Sequence, residues 1–169
     1  SGTYIKVQTD DFDIGQLSEQ VRADDATSGA IVTFTGIVRE MEVVNDHLKA
    51  LYLEHYPGMT EKALLSIADQ ARERWELGNV VIVHRVGELA LNENIVFVGV
   101  GSAHRDNAFL AARFIMDYLK RDAPFWKKEF TNTSKILKHF CFRIFDALQA
   151  IIFLLGPIFE FLSQQRSVF

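Results

Sequence analysis

Residues 1–129 predict an α+β domain in which helices pack on a largely antiparallel sheet, and three features of the sequence point there. Continuous or alternating β-branched runs recur through the stretch, helical stripes fall between and after them, and a short asparagine-rich joint links two of the runs as a hairpin.

The first run, Tyr4–Gln8, precedes a stripe of Ile14, Leu17 and Val21 at helical spacing. Ala30–Val38 and Leu48–His55 are the next strands. Thr60 then stands as N-cap before a second stripe of Leu64, Ile67, Ala68, Ala71 and Trp75. Val80–Val86 and Ile95–Val100 follow, joined by Asn92-Glu93-Asn94, where asparagine tolerates positive φ. The third stripe, Ala108, Ala112, Ile115 and Leu119, ends ahead of Pro124, which forces a change of direction.

A chain of 169 residues can bury a core without a disulfide or metal staple. Hydrophobic residues at 49% and charged residues at 24% argue against disorder, collagen-like repeats and coiled-coil rods. The net charge of -4 leaves no general electrostatic footprint for nucleic acid, so any anion must be met by a local cluster. The single cysteine, Cys141, excludes an intrachain disulfide, and no Cys/His spacing builds a zinc site. We therefore expect no bound metal, no resident cofactor and a reducing, cytoplasmic setting. The opening Ser1-Gly2 reads as a processing remnant without an apolar leader.

Composition breaks at Glu129. Residues 1–129 hold 6 Phe with 14 basic and 20 acidic residues, whereas residues 130–169 hold 8 Phe with 4 basic and 2 acidic. That contrast divides the chain into a domain over residues 1–129 and an atypical apolar tail over residues 130–169. The tail, from Ile136 to Leu162, is expected to be helical and to pack against this or a neighbouring subunit. Its longest uncharged stretch, 13 residues between Asp146 and Glu160, is too short to span a bilayer, and Gly156-Pro157 interrupts a helix there.

Candidate chemistry gathers in three places. Gly101-Ser102-Ala103-His104-Arg105-Asp106 lies where a strand ends and a helix begins, so free backbone N–H groups, an imidazole and a guanidinium suit a phosphate or carboxylate. The plainer alternative is that His104 caps the helix and Arg105 pairs with Asp106. Lys120 closes the same helix and runs into Ala123-Pro124-Phe125-Trp126-Lys127-Lys128-Glu129, where two aromatics beside two lysines could wall a flat heterocycle bearing phosphate. A helix-terminal lysine is otherwise simply solvated and favourable to the dipole. Thirdly, Phe34-Thr35-Gly36-Ile37-Val38-Arg39 ends a strand in an arginine, which either contacts a ligand or pairs with Glu40 and Glu42. His84-Arg85 reads as structural. No Gly-rich phosphate loop, Gly-x-Ser-x-Gly elbow or His-Glu-x-x-His helix occurs.

Taken in order, Val32-Thr33-Phe34-Thr35-Gly36-Ile37-Val38-Arg39, Leu53-Glu54-His55-Tyr56-Pro57-Gly58-Met59-Thr60-Glu61-Lys62-Ala63-Leu64, His84-Arg85-Val86-Gly87-Glu88-Leu89, Val98-Gly99-Val100-Gly101-Ser102-Ala103-His104-Arg105 and Phe114-Ile115-Met116-Asp117-Tyr118-Leu119-Lys120 with the Ala123–Glu129 segment resemble the large catalytic subunit of molybdopterin synthase. The resemblance covers nearly all of residues 3–129 and implies an α/β-hammerhead-like fold. It implies sulfur transfer from a small ubiquitin-like carrier subunit, through the thiocarboxylate of its C-terminal Gly-Gly, to cyclic pyranopterin monophosphate, giving the dithiolene of molybdopterin. It also implies a homodimer of large subunits within a heterotetramer. Lys120 and Lys127 fall on the catalytic positions, and Ile37, Val38, Arg39, His104, Arg105, Lys128 and Glu129 on substrate-binding ones.

Both reactants are anions, so a focused basic pocket would hold them together, and clustered cations favour a neutral amine able to do acid/base or nucleophilic work. On that basis Lys120 is expected to act as acid/base or nucleophile, and Lys127 to stabilise developing charge. After Phe130 the relatives' Gly-containing turn, Trp-Val pair and charged tail are absent, which reads as a replaced or frameshifted C-terminus. Two other readings are a non-catalytic anion-binding or pterin-binding module and a scaffold that oligomerises, or attaches to membrane, through the apolar tail.

Overall fold

The structure is a computed structural model that describes residues 2–40, 42–43, 46–131 and 135–136. The tail expected to be helical lies, beyond Ile136, outside the described residues. Strands are β1 Thr3–Gln8, β2 Ala30–Ile37, β3 Glu42–Val43, β4 Asp46–His55, β5 Val80–Arg85, β6 Gly87–Ala90, β7 Asn94–Ser102, β8 Phe125–Thr131 and β9 Lys135–Ile136. Helices are α1 Ile14–Arg22, α2 Met59–Arg74 and α3 Arg105–Arg121.

The α+β class is as expected, and the strands form two sheets. The first runs β1-β5-β7-β2, antiparallel except for the parallel β1–β5 pair. Helices cover both of its faces, which is why every residue of β5 is buried. Alternation divides the core accordingly. Val80, Ile82, Val96, Val98 and Val100 face Leu64, Ile67, Ala111 and Ile115 of α2 and α3. Val81, Val83 and Phe97 meet Val21 of α1. Gly99 sits where α1 crosses closest, since a Cβ there would come within 2.3 Å of Val21 Cγ2.

The second sheet is built on β4, which pairs with β8 along one edge and with β6 and β3 along the other. Sequence periodicity missed β6 and β8. The expected hairpin between Val80–Val86 and Ile95–Val100 does pair antiparallel, with Asn92 at φ 68°, but its loop contains β6. Gly87, at φ 88°, turns the chain out of the first sheet so that Gly87–Ala90 can join β4. The expected boundary between residues 129 and 130 falls inside β8, and Lys135–Ile136 pairs back on Glu129 and Phe130.

Thr60 does not cap α2. Gly58 takes the N-cap position, and the Glu61 carboxylate accepts its N–H at 2.7 Å. Thr60 lies two residues inside, fully buried, with its hydroxyl free for a longer-range bond.

Candidate active site

Arg39 owes its place to the residue before it. After a register shift between Gly36 and Ile37, β2 ends, and Val38 is locked by two backbone bonds: its N–H donates to Glu93 O at 2.9 Å, and Asn92 N–H donates to Val38 O at 2.7 Å. Val38 is buried against Leu51, Leu53 and Leu89 of the second sheet. Arg39 and Ile37, on either side of it, are exposed.

The two lysines flank one connection. Lys120 is exposed in the last turn of α3, the chain turns through Asp122–Pro124, and β8 carries Lys127 opposite Leu53, Lys128 opposite Tyr52 and Glu129 opposite Leu51. Opposed residues in a sheet share a face. Lys127 is thus on the face where Leu53 packs on Val38, next to the origin of Arg39.

The end of α3 reaches the same region. β7 enters the sheet opposite the end of β2, with Asn94 across from Ile37, and α3 then returns across the sheet. Phe125, after that return, stacks on His84, which pairs with Val96 near the start of β7. The end of β2, the last turn of α3 and the start of β8 therefore lie toward the same end of the first sheet.

His104 and Arg105 lie at the other end, where Ser102 pairs with Ala30. They begin the helix that Lys120 closes, so at 1.5 Å per residue they stand roughly 22 Å from it along the axis. The expectation that all these cations meet in one cavity does not hold within a single chain, because a straight helix holds the two groups apart. His104 is the N-cap residue but makes no side-chain cap bond, and Arg105 Nε lies 3.7 Å from Asp106 with both side chains largely exposed. An exposed pair of that kind contributes little.

The expected aromatic wall also differs. Phe125 and Trp126 take opposite faces of β8: Phe125 stacks on His84 at 3.8 Å against the core, and Trp126 meets Tyr56 edge-on at 4.0 Å. These rings brace the connection. Thr60 braces it as well, its Oγ1 donating to Pro124 O at 3.2 Å, a contact the sequence disguised as a helix cap.

His84 and Arg85 are structural, as expected. Burial pushes the His84 imidazole down to about 4 despite its Nδ1 bond to Arg85 O. Arg85 donates to Thr9 O and Asn94 O, tying the end of β1 to the turn that pins Val38. Among the described residues no cluster of three His, Cys, Asp or Glu could hold a metal ion, and no helix is long and apolar enough to cross a membrane.

An α+β fold with basic side chains at both ends of one long helix is the class of protein the structure defines. The family described as MoaE protein matches residues 7–122. The molybdopterin synthase catalytic subunit of Escherichia coli strain K12 is 55% identical over 129 residues, covering 76% of this chain and 85% of that protein. Among solved structures, the molybdopterin biosynthesis MoaE protein from Burkholderia ambifaria MC40-6 superposes with a TM-score of 0.71 at 45% identity, over 81% of this chain and 89% of that one. Molybdopterin synthase from Staphylococcus aureus gives 0.71 at 32% identity, over 79% and 96%. The chain belongs to the MoaE family of molybdopterin synthase catalytic subunits, enzymes of molybdenum cofactor biosynthesis.

Proposed function

We propose that this chain carries out the sulfur-transfer step of molybdopterin formation, receiving cyclic pyranopterin monophosphate and a small carrier subunit whose C-terminal Gly-Gly ends in a thiocarboxylate. The observation that supports the reading is that the end of β2, which leads into Arg39, and the α3–β8 connection, flanked by Lys120 and Lys127, lie toward the same end of the first sheet although they are distant in sequence. In a chain of net charge -4, these three cations supply the local field that two anionic reactants require.

Lys120 acts on the reacting atoms as acid/base or nucleophile, and Lys127 stabilises charge that develops on sulfur, oxygen or phosphate. Ile37 and Val38 shape the approach to Arg39. Lys128 and Glu129, at adjacent register positions of β8, border the substrate. His104 and Arg105 serve the site of a second copy of the chain, which accounts for their distance from Lys120 and makes the working unit a homodimer with one carrier at each end. Residues 1–129, with the remainder of β8, form the family's domain. The single cysteine of the sequence is in keeping with a cytoplasmic enzyme.

The test is reconstitution with the thiocarboxylated carrier and the cyclic pterin. Lys120→Ala is expected to lower dithiolene formation by a factor on the order of 100 or more, the usual cost of losing a positioned proton-transfer group. Near-normal product would overturn the assignment, and pterin binding without product in the unsubstituted protein would point to a binding module.

A further inference from the structure

Between Lys120 and Lys127 the chain leaves α3 after Arg121 and enters β8 at Phe125, so only Asp122–Pro124 lies outside regular structure. Asp122 N–H reaches back to Tyr118 O, and Phe125 N–H to Ala123 O, both at 2.8 Å. Pro124 has no N–H to donate. Besides the pairing of Phe125 and Trp126 with His55 and Glu54 of β4, three consecutive residues are gripped by side chains: Pro124 O by the Thr60 hydroxyl, the Phe125 ring by His84 and the Trp126 ring by Tyr56. These partners come from α2, from β5 and from the joint between β4 and α2, so the connection is fixed relative to both sheets.

Thr60 is the centre of that grip. Its hydroxyl has one hydrogen to give and gives it to Pro124 O; its oxygen accepts Tyr56 N–H at 3.2 Å. One buried atom therefore joins the residue that carries the Tyr56 ring to the turn that separates the two lysines. Threonine in the first turn of a helix ordinarily serves the helix. Here Gly58 and Glu61 already fill that role, and the hydroxyl is spent 64 residues away.

We propose that Thr60 is a positioning residue of the enzyme: through Pro124 it sets the spacing and direction of the Lys120 and Lys127 amines. The inference rests on the function proposed above for those lysines. Displacements well under an ångström in a reacting group are enough to slow an enzyme, whereas the fold tolerates them.

Thr60→Val keeps the shape and the buried methyl and removes only the donor; Thr60→Ser keeps the donor. With the full chain and carrier, Thr60→Val is expected to lower kcat about tenfold or more, with a smaller change in KM for the cyclic pterin, and Thr60→Ser to recover most of the loss. Separately, after reductive 13C-methylation, the Lys120 and Lys127 NMR signals should move in Thr60→Val and return in Thr60→Ser, while those of Lys6 and Lys62 stay in place. A general loss of stability would not produce that pattern. Should Thr60→Val fail to fold, Thr60→Ala, which also removes the donor to Pro124 O, carries the same expectation for the two lysine signals. Unmoved Lys120 and Lys127 signals, or wild-type kcat in Thr60→Val, overturn the proposal. Absence of product from the unsubstituted protein overturns the function reading instead, and the lysine signals still decide the role of Thr60.

Discussion

His84 shows how one side chain links stability to the site. Its ring is buried between the core and Phe125, and burial holds its pKa at about 4, against 6.5 for a free imidazole. The unfolded chain therefore binds a proton between those values that the folded chain refuses. Stability is full above pH 6.5 and falls as the pH drops toward 4, by roughly 3 kcal/mol if nothing else relaxes. Urea unfolding at pH 7.0 and pH 4.5 should show that loss in the wild-type chain and a much flatter profile in His84→Phe. A His-independent slope would show that other groups dominate the acid limb. From sequence, His84-Arg85 was legible as structural because the flanking Val86-Gly87-Glu88 reads as a strand continuing into a turn. Thr60 was misread because a hydroxyl before a helical stripe has the same local pattern whether it caps the helix or bonds to a residue far along the chain.

At the level of elements, the helices were the readable part. Ile14, Leu17 and Val21 mark α1, and its start is fixed locally: Asp13 Oδ1 accepts Gln16 N–H at 2.8 Å. Asp13→Ala should cost about 1 kcal/mol in chemical denaturation, with the midpoint lowered and the slope unchanged. An unchanged midpoint would mean that α1 is held by Val21 and Phe97 packing alone. The second sheet was much less legible. β6 is four residues long and begins with glycine, and β8 reads Phe-Trp-Lys-Lys-Glu-Phe-Thr, in which no alternation of apolar and polar residues announces a strand. Both are strands because β4 offers them an edge, and that partner lies far away in sequence.

For the whole molecule, the helix that carries His104-Arg105 and Lys120 was legible in the sequence, but the length that separates them was not weighed against the idea of one cavity. The sequence already placed His104-Arg105 at the start and Lys120 at the end of one helix, and α3 spans Arg105–Arg121 as that reading requires. If two copies exchange these ends, Lys120→Ala and Arg105→Ala should complement one another. An equal mixture forms mixed dimers half of the time, each with one intact site, so about a quarter of wild-type activity should return from two impaired parents. No recovery, with subunit exchange confirmed by mass, would mean that Arg105 and Lys120 do not serve one site shared between two copies. The length of α3 has a kinetic corollary. On the proposed sharing of the site between two copies, turnover per polypeptide should depend on concentration, rising with the fraction of chains that have found a mate.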